Sequence, residues 1–478
     1  MADLSRVTVL QNVRMMDGRL VDLEVRGGRI DSIRPPRTHA SGVGIDCDGA
    51  YALPGLADHH IHILALAAAR NSVDCSPEAV KNRSALSRAL HAAERDVHGW
   101  IRAIGYDQST VGPLDVTVLD ELAPAAPVRI QHRSGALWVL NSAALAQLDI
   151  RSAPAHAVER DHNGMPTGRI WRGDAWLQTQ LPPAGELPLA RLGTELSRLG
   201  LTEITDATPG VRDPRLIGNA RAAGDIPQRI TLLSEPQLVP KGITLGALKI
   251  VLGDTGLPSM AELIEEIARA RRTGRPVAVH CVTREALVLV LVALSQTGAI
   301  PGDRIEHAAI VPLELIPSMR DLGLAVVTQP GFLGHRGDQY LTDVEAADIP
   351  HLYRHRTLLD AGVPTVASSD APYGPVNPWQ VMHDALNRRG PDGKVIGVDE
   401  RVTAAQALAG YLCPPSNLTA VHEVASTLLG SDHRRELVRP TMEADLILTE
   451  SPALEAIELG QKNPVVMTMI EGRVVSHA

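Results

Sequence analysis

Pro54-Gly55-Leu56-Ala57-Asp58-His59-His60-Ile61-His62 is the stretch on which the reading of this chain turns. The Pro54-Gly55 turn and the short apolar approach put the histidines at or just past the end of a strand. Residues two apart in an extended backbone face the same way, so His60 and His62 can share one metal ion. A surface histidine cluster is the plainer reading of the same letters. The rest of the chain has to decide between the two.

Downstream, an apolar run followed by a helical segment recurs, which is the pattern of a parallel sheet covered by helices. The spacing predicts strands over 201–208, 229–233, 248–252, 277–280, 304–307, 324–329 and 364–369, and the one before His60 makes eight. One helix can be read closely. Ser259 and Glu262 have capping-box spacing, Leu263, Ile264, Ile267 and Ala270 form an apolar stripe, and Gly274 stops it.

Several of these strands end on a polar residue: His280 after Val277-Ala-Val, His307 after Arg304-Ile-Glu, and Asp370 after Val366-Ala-Ser-Ser. In a closed parallel barrel the carboxyl ends of the strands converge on one face, where active sites of that architecture lie. One strand-end histidine is usually a satisfied core group, but four histidines and an aspartate so placed do not read as packing. Lys249 interrupts the apolar run 247–252, and a buried lysine is costly unless paired or neutral. A neutral amine there can add carbon dioxide to give a carbamate that bridges two metal ions. The alternative is a lysine that reaches solvent or pairs with Asp254.

Both ends of the chain carry short alternating runs, at 7–10, 23–25 and 29–33 and again at 445–448 and 465–470, with Gly27-Gly28 and Glu471-Gly472 as turns. They are expected to pair into one small β-domain. Residues 70–183 break the strand–helix rhythm and hold every Trp except Trp379. They are expected to form an insertion that helps to shape a substrate pocket, while Asp206, at the end of the second strand, is expected to cap a loop rather than bind metal.

The chain has 478 residues, a length that calls for one large domain and a smaller companion. Its hydrophobic fraction is 44% but its aromatic fraction only 3%, with a single Phe, so the core is built from Ala, Val, Leu and Ile. A net charge of −9 argues against general nucleic-acid binding. Cys47, Cys75, Cys281 and Cys413 form no CxxC pair, which points away from a disulfide framework or a cysteine zinc site. Neither the first residues nor the apolar run 286–294 suits a signal core or a membrane span. The expectation is a cytoplasmic protein without membrane association.

Taken together, 54–62, Lys249, His280, Arg304-Ile305-Glu306-His307 and Ser369-Asp370-Ala371-Pro372 resemble the amidohydrolase superfamily. Gly105-Tyr106-Asp107, Asn141-Ser142-Ala143-Ala144-Leu145, Thr328-Gln329-Pro330 and Asn377-Pro378-Trp379 are similar to its amidohydrolase-3 branch, which includes N-substituted formamide deformylases. The resemblance implies a (β/α)8 TIM-type barrel at 55–415, with the insertion at about 70–183. It also implies a β-sandwich built from 1–54 and 416–478. It implies one or two divalent ions, zinc by default: His60 and His62 on the more buried one, Lys249 bridging as a carbamate, His280 and His307 on the second. Asp370 would contact a metal and act as general base and acid. Cleavage of a C–N bond in an amide, N-acyl compound, lactam or urea, or of an ester, follows, by attack of a metal-activated water.

One departure concerns the substrate. Where many branch members carry Arg-x-Gly-His, this chain has Arg133-Ser134-Gly135-Ala136, so the histidine thought to meet the substrate is absent. Arg133, Tyr106 and Tyr373 are candidate substrate-binding residues, each with a purely structural alternative. A mononuclear deaminase of a nitrogen heterocycle is the nearest rival, but it commonly needs a glutamate where Thr283 stands. A relative that has lost catalysis would lack ligands that this chain keeps. The partner is expected to be a small molecule, and the assembly a homo-oligomer, taken as a dimer.

Overall fold

Alternation along the parallel strands decides which side chains reach the site. In a computed structural model describing residues 7–36, 44–182, 186–210, 214–253, 256–430 and 436–477, these strands hydrogen-bond as two arcs. One runs Ile243–Leu245, Arg229–Leu232, Leu201–Asp206, Leu56–Ile61; the other runs Leu248–Val251, Val277–Cys281, Arg304–His307, Ala325–Thr328, Thr365–Ala367. Hydrogen bonds link the arcs at both ends, Lys249 N to Leu233 O and Asp370 N to His60 O, each 2.8 Å.

All eight strands expected from the pattern are present, and Ile243–Leu245 is an addition that its two exposed residues conceal from an apolar-run search. The last strand is shorter than 364–369. Beyond Ala367 the backbone turns away, Ser369 N donates to Asp58 Oδ1 at 3.3 Å, and Asp370 adopts φ +52°.

Leu248, Ile250, Val277, Val279, Cys281 and Ile305 face the helices, in one buried cluster with Leu263, Ile267, Leu287 and Leu291. Burying each such side chain contributes roughly 1.5–3 kcal/mol. With period two, the intervening Lys249, Ala278, Arg304 and Glu306 must face the other way. Register then sets their neighbours: Lys249 lies opposite Ala278, and His280 opposite Glu306. The helix Met260–Arg272 has the capping box on Ser259 and Glu262.

The chain ends meet as expected. Leu446–Thr449 pairs antiparallel with Tyr51–Pro54, joining N- and C-terminal strands in one eight-stranded sheet. Leu10, Leu23, Val25, Leu446, Leu448 and Met467 share its core.

By compactness the chain divides into two units, residues 1–63 with 189–478, and residues 64–188. The second has a six-stranded mixed sheet of its own, from Val158–Arg160 at one edge to Val73–Asp74 at the other. Its Trp138 ring carries the guanidinium groups of Arg102 and Arg129 at 5.4 and 5.2 Å. All four cysteines are free and buried. Among the described residues no helix is long and apolar enough to cross a membrane.

Gly55 opens the strand that carries His60 because nothing larger fits: a Cβ there would overlap the Thr202 side chain. Gly55→Ala is therefore expected to cost about 1–3 kcal/mol by overpacking, read as a lower midpoint in urea unfolding. An unchanged midpoint would show that the two strands separate easily.

Candidate metal centre

His60 and His62 approach Asp370 from two directions. Asp370 Oδ1 is 3.1 Å from His62 Nε2 and 3.5 Å from His60 Nε2, and the ligand atoms of all three residues lie within 4.8 Å of one another. His60 Nδ1 forms a short contact with a Glu306 carboxylate oxygen, and His62 Nδ1 lies 3.0 Å from Thr208 Oγ1. With Nδ1 protonated in both rings, each Nε2 presents a lone pair. Those lone pairs face a buried carboxylate oxygen to which no hydrogen bond is made. Three acceptors turned on one point repel unless a cation lies between them, so the donor set fits a divalent metal.

The other strand-end residues join the same cluster. Lys249 Nζ is 3.4 Å from His60 Nε2, the His280 and His307 rings are 4.4 Å apart by their centroids, and those of His60 and His307 are 4.9 Å apart. His307 Nδ1 meets Gln329 Oε1 at 2.8 Å. Gln329 Nε2 donates to Ser368 Oγ and Val327 O, which fixes its oxygen as the acceptor and leaves His307 Nε2 as a lone pair. Asp254, the alternative partner for Lys249, lies outside the described residues.

Burial sets the charge states. It keeps His60, His280 and His307 neutral, the last pushed down to about 3, and lowers the Lys249 ammonium. Burial works to raise Asp370, but the imidazoles of His60, His62 and His307 gathered round it outweigh that, and its carboxyl falls well below the usual range. Glu306 is likewise held down, against burial, by Arg304, His60 and Lys249. His307 and Asp370 both adopt positive φ, at +70° and +52°, a conformation that costs a non-glycine residue free energy and persists where the surroundings impose it.

Glu306, Gln329 and Asp58 are the supports that local pattern leaves without a task. Glu306 is fully buried and accepts from Arg304 Nε at 2.6 Å as well as from His60. The available signal is the Arg304–Glu306 pair, two apart on one face of a strand whose other face is apolar. Asp58 Oδ1 accepts from the backbone N of His60 at 3.1 Å and of Ser369, tying together the two segments that carry ligands.

Of the candidate substrate residues, Tyr373 meets the His62 ring edge-on at 5.5 Å. Arg133 and Tyr106 belong to the second unit. There Arg133 pairs with Asp107 at 2.7 Å, and the buried Tyr106 hydroxyl donates to Gly112 O and accepts from Leu114 N. Those bonds suit the structural reading of both. Asp206 accepts from the backbone N of Ile63 and Thr208, a capping role. Thr283 caps the helix Arg284–Thr297 by accepting from Ala286 N at 3.2 Å.

A mixed α/β scaffold that gathers histidines and an aspartate at strand ends defines a metal-dependent enzyme class. The profile of the amidohydrolase family matches residues 43–476, and the chain belongs to that family. As a member of it, the chain is a hydrolase acting on carbon–nitrogen bonds, and its His60, His62 and Asp370 group could hold a metal ion. The N-substituted formamide deformylase of Arthrobacter pascens is 28% identical over 485 residues, covering 85% of this chain and 88% of that one. Among solved structures, an uncharacterized metal-dependent hydrolase from Pyrococcus horikoshii superposes with a TM-score of 0.73 at 20% identity, covering 96% of this chain and all of the other. N-isopropylammelide isopropylaminohydrolase from Burkholderia multivorans gives a TM-score of 0.53 at 17% identity, with 98% of each chain covered.

Proposed function

We propose that this protein hydrolyses the C–N bond of an N-acyl compound, with an N-substituted formamide, as named for the relative from Arthrobacter pascens, the first substrate type to assay. The observation that carries the reading is the buried Asp370 Oδ1 facing two histidine lone pairs. His60, His62 and Asp370 would hold one ion. His280, His307 and a carboxylated Lys249 would complete a second position, zinc being the default for a histidine-rich shell. A bound divalent ion supplies Lewis-acid activation of water and of the scissile carbonyl.

The chain's own residues do the rest. Asp370 is ionised and beside His62, so it can take the proton of the attacking water and return it to the leaving nitrogen. Glu306 and Gln329 hold the histidine tautomers. Lys249, lowered by burial, is suited to carboxylation. In this reading the eight parallel strands close as a (β/α)8 barrel over 55–415, the insertion at about 70–183 interrupts it, and 1–54 with 416–478 form a sandwich. The hydrogen bonds between the arcs and the pairing of the chain ends support this. Four reduced, buried cysteines suit a cytoplasmic location.

Thr283 favours hydrolysis over deamination, since its hydroxyl is engaged as a helix cap. Elemental mass spectrometry on protein purified without chelator, with bicarbonate present, should find about two metal ions per chain. About one would favour a mononuclear site with unmodified Lys249, and none after reconstitution would overturn the reading.

A further inference from the structure

The chain has one Phe and six Tyr, and Phe332 with three of those tyrosines, Tyr340, Tyr353 and Tyr373, shares a single cluster with Ala309 and Leu352. So uneven a distribution in an aromatic-poor protein calls for a local reason. The cluster adjoins the metal centre, because Tyr373 is also the residue whose ring meets His62.

A guanidinium sits among these rings. Arg336 lies 4.0 Å from the Phe332 centroid and 5.6 Å from that of Tyr340, and its Nε donates to Tyr340 Oη at 3.1 Å. Tyr340 Oη in turn is 3.0 Å from Tyr353 Oη. Arg336 is partly exposed, and among the described residues no carboxylate pairs with it. Burial works to lower it, but the neighbouring Tyr340 and Tyr353 outweigh that, and a guanidinium stays charged in any case.

The backbone is arranged to aim this side chain. The helix Gly331–Asp343 breaks at Arg336, with φ −150° and ψ 27°, between Gly334 and Gly337. A Cβ on Gly334 would meet the Asp384 carboxylate and one on Gly337 would meet Ile396, so both glycines permit close approach. Ring stacking uses the flat faces of a guanidinium and leaves its edge donors directed outward, in the fork that matches a carboxylate. A partly desolvated cation without a counter-ion is costly, and a substrate anion would supply the counter-ion.

We propose that Arg336 is a specificity residue that binds a carboxylate on the substrate, whose apolar portion lies along Phe332, Tyr340 and Tyr373, so that the amide hydrolysed is an anionic one. This rests on the proposed C–N hydrolysis for its location at the active site. The test pairs N-formylphenylalanine with N-(2-phenylethyl)formamide, the same molecule without its carboxylate, on metal-loaded wild type, Arg336→Gln and Arg336→Lys.

The wild type should favour the acid. Arg336→Gln should lower kcat/KM for the acid about 30-fold, mainly through KM, and leave the neutral formamide within about threefold, with Arg336→Lys in between. An equal loss on both substrates, or none, would overturn the proposal. Calorimetric binding of 3-phenylpropionate and 3-phenylpropionamide decides the matter even if neither formamide is turned over. Binding of the acid weakened about tenfold or more in Arg336→Gln, with the amide unaffected, sustains Arg336 while the hydrolytic reading fails. Equal binding of the acid by wild type and variant refutes it.

Discussion

Replacing Asp370 with Asn is expected to lower kcat by about 10³-fold while metal content stays near that of the wild type. The substitution keeps shape and leaves an amide oxygen to face His60 and His62, so the donor geometry changes little. What it removes, on the proposed mechanism, is the ionised base. Against burial, the imidazoles of His60, His62 and His307 hold the Asp370 carboxyl well below its usual range, so it is a proton acceptor throughout the neutral region. Steady-state kinetics beside elemental analysis on the same preparation checks this. Full turnover with metal retained would remove Asp370 from the chemistry, and loss of metal would make it chiefly a ligand.

The second large effect belongs to Glu306, which touches no substrate in this reading. It is fully buried, bonded to Arg304 and His60, and within the field of Lys249. Glu306→Ala strips a buried guanidinium of its partner, a change that costs about 3–5 kcal/mol in comparable pairs. Urea unfolding should register it. Glu306→Gln keeps the volume but weakens the acceptor that holds the His60 tautomer, and metal affinity should fall about 10–100-fold in chelator competition, with turnover recovering as metal is added. Unchanged affinity would mean that His60 is oriented by packing alone.

The terminal β-domain and the parallel strands are legible because their signals are local. Period two at 7–10 and 465–470, apolar runs that end on His280 and His307, and the capping box at Ser259 each need only a few neighbouring residues. The shorter strand at Thr365–Ala367 is not legible, because what ends it is Asp58, more than three hundred residues away. Arg336 is equally hidden: in the sequence it is one arginine among many, and only the broken helix, with Tyr353 and Tyr373 brought in from outside it, gives it a setting.

The sequence by itself therefore determined the family, through motifs such as 54–62 and 369–372, and the parallel architecture with its candidate metal-binding histidines and aspartate, since motifs, strand periodicity and strand-end residues are written in consecutive letters. Tertiary structure alone decided which ring nitrogen of His60, His62 and His307 is left as a lone pair, that Asp370 Oδ1 is left without a hydrogen bond between two of them, and that a guanidinium without a carboxylate partner among the described residues stands in the aromatic cluster next to Tyr373. Hydrogen-bond partners and burial come from residues brought together by folding, and it is these that fix tautomer, charge and unmet coordination.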